Sequence, residues 1–284
     1  MTATYPRLDL PLLGDPEWIT RPDGTRLHAR RVGEGPDVLL AHGFMGRQED
    51  FVIVQRQLVD AGFRVTTFDQ RAHGQSTLGT DGLTTRAMAG DYAAVLEHFD
   101  LRDAVLLGHS MGGFLSVVFA QTHPDVVAAR LRGLVLVGAH AGRVAEGNLQ
   151  NQLQIPLIKR GVMARVVRRP RLGRLMARTL FGSWAPADYV EQTRAGMVEH
   201  DMRRTLPILQ AQLDEDWYPN LGLITVPTVV LCGERDKTCL PWHSQRLGRD
   251  IPNAHNVWLP GVGHMVTCEA PGSILAHVRE LARG

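Results

Sequence analysis

Residues 106–113, Leu-Leu-Gly-His-Ser-Met-Gly-Gly, carry the pattern Gly-x-Ser-x-Gly between an apolar run at 104–107 and a nearly apolar helical stretch at 110–123. That context suits a nucleophile. Ser110 would project from a very sharp strand-to-helix turn with strained backbone angles. Gly108 and Gly112, two positions either side of it, are expected to crowd each other, which only glycine tolerates. The helix N-terminus would then favour negative charge developing beside the serine.

A serine hydroxyl is a weak nucleophile until a base takes its proton. The chain has 12 histidines. His264 stands out because it ends Pro260-Gly261-Val262-Gly263, a glycine-rich loop after the last apolar run, which can swing a side chain over the sheet edge. Its late position fits the chain order serine, acid, histidine. His98 and His123 fall near helix ends, and His28, His255 and His277 lack such a loop. The acid should end an earlier strand. The run at 228–232 is followed by Gly233-Glu234-Arg235-Asp236-Lys237, so Asp236 is the choice and Glu234 the alternative. The end of the preceding strand, Val137-Gly138-Ala139-His140, has no carboxylate. Asp236 would hold the His264 tautomer and stabilise its charged form. A tetrahedral intermediate needs N–H donors. Met111, directly after the serine, should supply one. Phe44, in His42-Gly43-Phe44-Met45-Gly46 after the strand at 38–41, should supply the other. Gly43 lets that backbone approach closely, and His42 reads as a structural residue that hydrogen-bonds the loop, with His109 supporting the turn.

Several elements must position these groups. Trp18-Ile19-Thr20 and residues 25–32, joined across Pro22-Asp23-Gly24, predict a β-hairpin. Short apolar runs at 38–41, 65–68, 104–107, 134–137 and 228–232, and a weaker one at 256–259, predict buried strands. Helical spacing fills 50–61, 85–99, 110–123 and 270–281. The alternation predicts an α/β fold, a mostly parallel central sheet with helices on both faces. It breaks between 142 and 223, which has no convincing strand and reads as several short helices. The expected organisation is a core of residues 1–141 and 224–284 with a helical cap at 142–223. No internal repeat is visible.

These motifs, in this order and over nearly the whole chain, resemble the α/β-hydrolase superfamily. Asp69-Gln70-Arg71-Ala72-His73-Gly74-Gln75-Ser76 also resembles a scaffolding loop of that family, with Ala72 where the family usually has glycine. The resemblance implies a serine esterase or lipase-like enzyme that needs no metal or other cofactor. A serine nucleophile departs from the aspartate of haloalkane dehalogenases and epoxide hydrolases. The 42–46 loop differs from the His-Gly-Gly-Gly form of one esterase group and from the Gly-Pro-Gly form of ring-cleavage C–C hydrolases. Thioesterase, C–C hydrolase and perhydrolase-type haloperoxidase readings use the same residues. A ligand receptor on this fold is the non-catalytic alternative.

Composition narrows the classes further. The 284 residues hold 31 Lys+Arg against 29 Asp+Glu, a net charge of +2 that speaks against a dedicated nucleic-acid binder. With 44% hydrophobic and 21% charged residues the chain should fold. Cys232, Cys239 and Cys268 match neither a disulfide framework nor a zinc signature. Residues 1–18 lack the pattern of a signal peptide, and no run of about 18 apolar residues occurs. A cytoplasmic protein with a small ester or lipid as substrate is expected, and the sequence is silent on oligomeric state. One stretch departs from the average. Residues 159–178 hold Lys159, Arg160, Arg165, Arg168, Arg169, Arg171, Arg174 and Arg178 and no acids. They read either as a solvated cap surface or as a patch for anionic lipid or an anionic substrate group. Leu153, Ile155, Leu157, Ile158, Met197, Ile208 and Leu209 are candidates to line an acyl pocket.

Overall fold

The computed structural model describes residues 10–283. The first half of the 1–18 segment tested for a signal peptide lies outside the described residues. The elements run β1 (Pro16–Thr20), β2 (Arg26–Val32), β3 (Asp37–Ala41), α1 (Val52–Asp60), β4 (Arg64–Phe68), α2 (Thr85–His98), β5 (Ala104–His109) and α3 (Met111–Thr122). They continue α4 (Pro124–Arg130), β6 (Leu131–Val137), α5 (Leu149–Lys159), α6 (Val162–Arg168), α7 (Pro170–Arg178), α8 (Ala187–Glu199) and α9 (Leu206–Asp214). Last come β7 (Thr228–Gly233), α10 (Pro241–Asp250), β8 (Ala254–Leu259), α11 (Val266–Glu269) and α12 (Pro271–Arg283).

The strands form one sheet in the order β1-β2-β4-β3-β5-β6-β7-β8. The predicted hairpin pairs β1 with β2, and β2 meets β4 antiparallel. From β4 to β8 every pairing is parallel. A parallel sheet must be covered on both faces because its crossovers run there. Here α2, α3 and α10 bury Met88, Tyr92, Phe114, Leu115 and Leu247 against one face. Helices α1 and α12 bury Val54, Leu58, Ile274 and Val278 against the other. All of β3, β5 and β7 is buried, which is why those strands read as unbroken apolar runs.

Three helices escaped the sequence reading: α4, α10 and the four-residue α11. Pro124 ends α3 and also starts α4, since proline fits the first helical turn. In α10 only His243, Ser244 and Leu247 are buried, too little apolar signal for a periodicity argument. Between β6 and β7 lie five α-helices, α5 to α9, a short 3-10 helix at Tyr218–Leu223, and no strand. An antiparallel bridge between Gly142 and Asp216 brings the two ends of this segment together. Its own apolar cluster of Ile155, Ile158, Val167, Met197, Met202 and Leu209 packs on Phe44 and Met45 of the loop after β3. The segment therefore sits over the carboxyl ends of the central strands.

Candidate active site

Ser110 has φ +54° and ψ −116°, a conformation that side chains other than glycine's rarely adopt. Its hydroxyl caps no backbone N–H of α3, so it is left for other partners. Steric packing holds the turn. A Cβ on Gly108 would lie 2.5 Å from the Gly112 carbonyl oxygen, the mutual crowding expected of the motif. Gly112 answers to a further constraint, because its Cβ would lie 2.1 Å from the Ala41 carbonyl oxygen on β3. The Ser110 N–H donates to Val137 O of β6 at 2.9 Å. The turn is thus wedged between two neighbouring strands.

His264 reaches this serine from a separate loop. Its Nε2 lies 3.0 Å from Ser110 Oγ, and its Nδ1 lies 2.7 Å from Asp236 Oδ2. A carboxylate only accepts, so Nδ1 carries the proton and Nε2 offers its lone pair to the serine O–H. The other oxygen of Asp236 accepts the Thr238 and Cys239 N–H groups at 2.8 and 2.9 Å. Glu234, the alternative acid, is exposed, and the carboxylate that meets His264 is that of Asp236. Gly138, which the sequence reading passed over, is needed here. A Cβ on it would press on Asp236 Oδ2 and His264 Nδ1 at 3.2 and 3.3 Å.

The loop after β3 lies against the serine. A Cβ on Gly43 would meet Ser110 Cβ at 3.1 Å. His42 holds this loop: its Nδ1–H donates to Gly43 O at 2.8 Å and its Nε2 accepts the Gln70 N–H at 3.0 Å. Burial pushes the His42 pKa down, so it stays neutral and keeps this bonding pattern. Among the described residues nothing accepts the Phe44 N–H, and Met111 is the first residue of α3, whose N–H has no partner within the helix. The loop 69–76 is organised around Asp69, whose carboxylate accepts the Gln48 and Gln75 N–H groups at 2.9 and 3.0 Å. Ala72 in it adopts φ +62°, the conformation that explains a glycine preference there.

Sequence reasoning missed how His264 is held. The His264 N–H donates to Leu180 O at 2.7 Å, and Ser183 N–H donates to Gly261 O at 2.7 Å. The Glu269 carboxylate accepts Gly182 N–H at 2.8 Å and Gly263 N–H at 3.0 Å. Residues 180–183 belong to the α5–α9 segment, so the histidine loop is sutured to it by backbone bonds. From below, His109 Nε2–H donates to the His264 carbonyl at 2.9 Å. Burial takes the His109 pKa down to about 3, which leaves it a neutral donor.

A cavity of about 130 Å³ opens at Ser110 and His264. Phe44, Met45, Met197 and Leu209 supply apolar wall, and Asn151, Gln154 and Gln212 supply carboxamides. No lysine or arginine lines it among the described residues. Of the seven acyl-pocket candidates only Met197 and Leu209 reach the cavity. Ile155, Ile158 and Ile208 are spent on packing, and Leu153 is exposed. Asp50 also borders the cavity, where burial raises its carboxyl pKa to about 7.

The profile of the α/β-hydrolase fold family matches residues 36–271. The chain belongs to that family. Among proteins of known name, this hydrolase-fold chain is 34% identical to a non-heme haloperoxidase of Rhodococcus erythropolis, over 43% of each chain, so that match spans less than half of the relative's length. It is 26% identical to a non-heme chloroperoxidase of Kitasatospora aureofaciens over 86% of this chain and 90% of the other. Among solved structures, an esterase from Exiguobacterium antarcticum superposes with a TM-score of 0.82 at 21% identity, covering 96% of this chain and all of the other, a likeness of fold alone. A thermophilic esterase from Thermogutta terrifontis gives 0.75 at 27% identity, over 95% and 98%. Among the described residues no helix of this family member is long and apolar enough to cross a membrane.

Proposed function

We propose that the protein is a serine hydrolase that cleaves small carboxylic esters through an acyl-enzyme on Ser110. What carries this reading is the relay of Ser110 Oγ, His264 and Asp236 at 3.0 and 2.7 Å. His264 Nε2 takes the serine proton as Oγ bonds to the ester carbonyl carbon. Asp236 keeps the imidazole oriented and stabilises its charged form. The oxyanion accepts from the N–H groups of Phe44 and Met111. His264 then protonates the leaving alcohol. Water, deprotonated by the same histidine, releases the acid and restores Ser110. Side chains and backbone of this chain perform every step.

The site's size supports short esters. Ligand cavities commonly run to roughly 300–1,000 Å³, and this one holds about 130 Å³. Helices α5 to α9, within the cap we assign to 142–223 on a core of 1–141 and 224–284, set that limit. The decisive experiment is labelling with a fluorophosphonate, with Ser110→Ala as control, followed by p-nitrophenyl esters of rising acyl length. The expected result is Ser110-dependent labelling and fastest turnover of the shortest esters. Labelling that survives Ser110→Ala refutes the nucleophile.

The haloperoxidase names of the relatives favour a second outcome for the same acyl-enzyme. Hydrogen peroxide in place of water would release a peracid, which then oxidises halide in solution. Halogenation that requires both a carboxylic acid and Ser110 would establish it.

The basic stretch supports contact with anionic lipid. Leu172 and Leu175 on α7 are 42% and 68% exposed, interleaved with Arg171, Arg174 and Arg178, instead of packing on the core. Apolar side chains among cations suit a headgroup interface. Salt or Arg→Gln changes on α7 should lower turnover at anionic vesicles and leave soluble p-nitrophenyl acetate unaffected. Equal effects on both would remove the proposal. The three cysteines are free and buried, which suits a reducing compartment such as the cytoplasm.

A further inference from the structure

At the edge of the sheet farthest from β1, a cluster of ligating groups lies apart from the active-site cavity. His255 sits on β8, and His277 and Glu280 sit three residues apart on α12, on one face of the helix. One ligand atom from each of the three lies within 4.8 Å of the other two. His255 Nε2 is 3.8 Å from Glu280 Oε1, too long for a hydrogen bond, and the two imidazole ring centroids are 6.3 Å apart. Among the described residues no lysine or arginine pairs with Glu280.

We propose that His255, His277 and Glu280 form a surface site for a divalent transition metal that ties β8 to α12. The donor chemistry fits. Two imidazoles and a carboxylate suit zinc, nickel or copper(II), whereas magnesium and calcium prefer all-oxygen shells. Tetrahedral zinc with bonds of about 2.0–2.1 Å places its ligand atoms about 3.3 Å apart. The present spacing needs closing by at most about 1.5 Å, within reach of side chains that face solvent. Water fills the remaining position.

His277 is already prepared for this role. Its Nδ1–H donates to the Ser273 carbonyl at 2.7 Å. That bond fixes the tautomer and leaves Nε2 as the lone-pair nitrogen, the outer-shell arrangement that metal-binding histidines use. The chain between the ligands gives the site its consequence. It runs from β8 through the His264 loop and α11 into α12. A metal bridging His255 and His277 closes that segment into a loop. Such a bridge stabilises the folded state in proportion to metal occupancy and selectively restrains the part of the chain that carries His264.

The test uses the full chain stripped with EDTA. Zinc is titrated by calorimetry, and cobalt(II) by visible absorption to report a low-coordinate nitrogen and oxygen shell. One equivalent should bind. His255→Ala and His277→Ala should each weaken it about tenfold or more, and Glu280→Gln should weaken it as well. Zinc should raise the melting temperature of the unaltered protein and slow its thermal inactivation, and do neither in His277→Ala. In EDTA all three variants should melt like the parent and turn over p-nitrophenyl acetate at its rate. No saturable binding at millimolar zinc, or parental affinity in both histidine variants, overturns the site.

Discussion

The two halves of the proposed catalytic relay are held in opposite ways. Ser110 belongs to a contiguous stretch in which β5, the turn and α3 follow directly, and backbone contacts with β3 and β6 wedge it in place. His264 is assembled from distant pieces: Asp236 after β7, its own loop after β8, the 180–183 stretch from the α5–α9 segment, and Glu269 from α11. Ser110 is fixed by sterics within the sheet, whereas His264 is fixed by hydrogen bonds between segments. Disturbing the first side should cost the reaction or the fold outright. Disturbing the second should misplace the proton acceptor in a folded protein.

The largest effect belongs to the nucleophile. Ser110→Ala should abolish fluorophosphonate labelling and reduce kcat by about 10⁶-fold, with the melting temperature little changed because alanine keeps the Cβ and the same backbone turn. Residual turnover within tenfold of the parent would break the contrast. Next comes Gly112→Ala, whose Cβ would lie 2.1 Å from the Ala41 carbonyl oxygen in the sheet. A backbone wall cannot yield as a side chain can. The expected outcome is a loss of about 3 kcal/mol or more in denaturant melts, or failure to fold.

On the base side, Glu269→Gln keeps the shape of the side chain but turns an NH₂ toward one of the two N–H groups it accepted. A lost hydrogen bond with an orphaned donor costs about 1–3 kcal/mol. We expect kcat to fall about 10- to 100-fold with KM little changed and the protein folded at 25 °C. A change confined to KM would contradict the positioning role of Glu269.

Asp50 sharpens the comparison from the nucleophile's side. Asp236 accepts from His264 and two backbone N–H groups, whereas the hydrogen bond to Asp50 is the Arg47 N–H at 3.1 Å. Burial raises the Asp50 pKa from 3.8 to about 7. Between those values the unfolded chain binds fewer protons than the folded one, so stability falls as pH rises across that window. Asp50→Asn should flatten this portion of the melting-temperature profile and raise the melting temperature at pH 8. An unchanged profile would show that Asp50 titrates normally. The smallest effect is at Ala72, held at φ +62°. The left-handed conformation costs a non-glycine residue about 1–2 kcal/mol, and glycine's greater unfolded-state entropy offsets part of that. Ala72→Gly should be neutral or stabilise by up to about 1 kcal/mol, read from denaturant midpoints.

The sequence by itself determined the order of the strands and of α1, α2, α3 and α12, the serine turn and the loop that would bring His264 to it. Those features are local. A buried parallel strand must be apolar along its length, and a turn as tight as that at Ser110 needs small neighbours, so both leave marks within a few residues. The choice of Asp236 over Glu234 also came from strand-end logic, and the structure shows why: Asp236 is enclosed where the histidine arrives and Glu234 faces solvent. Tertiary structure alone decided that Leu180, Gly182 and Glu269 hold the histidine loop, that Gly138 makes room for the acid–histidine pair, and that five of the seven apolar candidates do not line the cavity. It also decided that His255, His277 and Glu280 come together. Each of these depends on groups far apart in the chain meeting in space, and the bonds between them are largely backbone N–H to carbonyl or carboxylate. Every residue but proline carries those same backbone groups, so no residue type announces them.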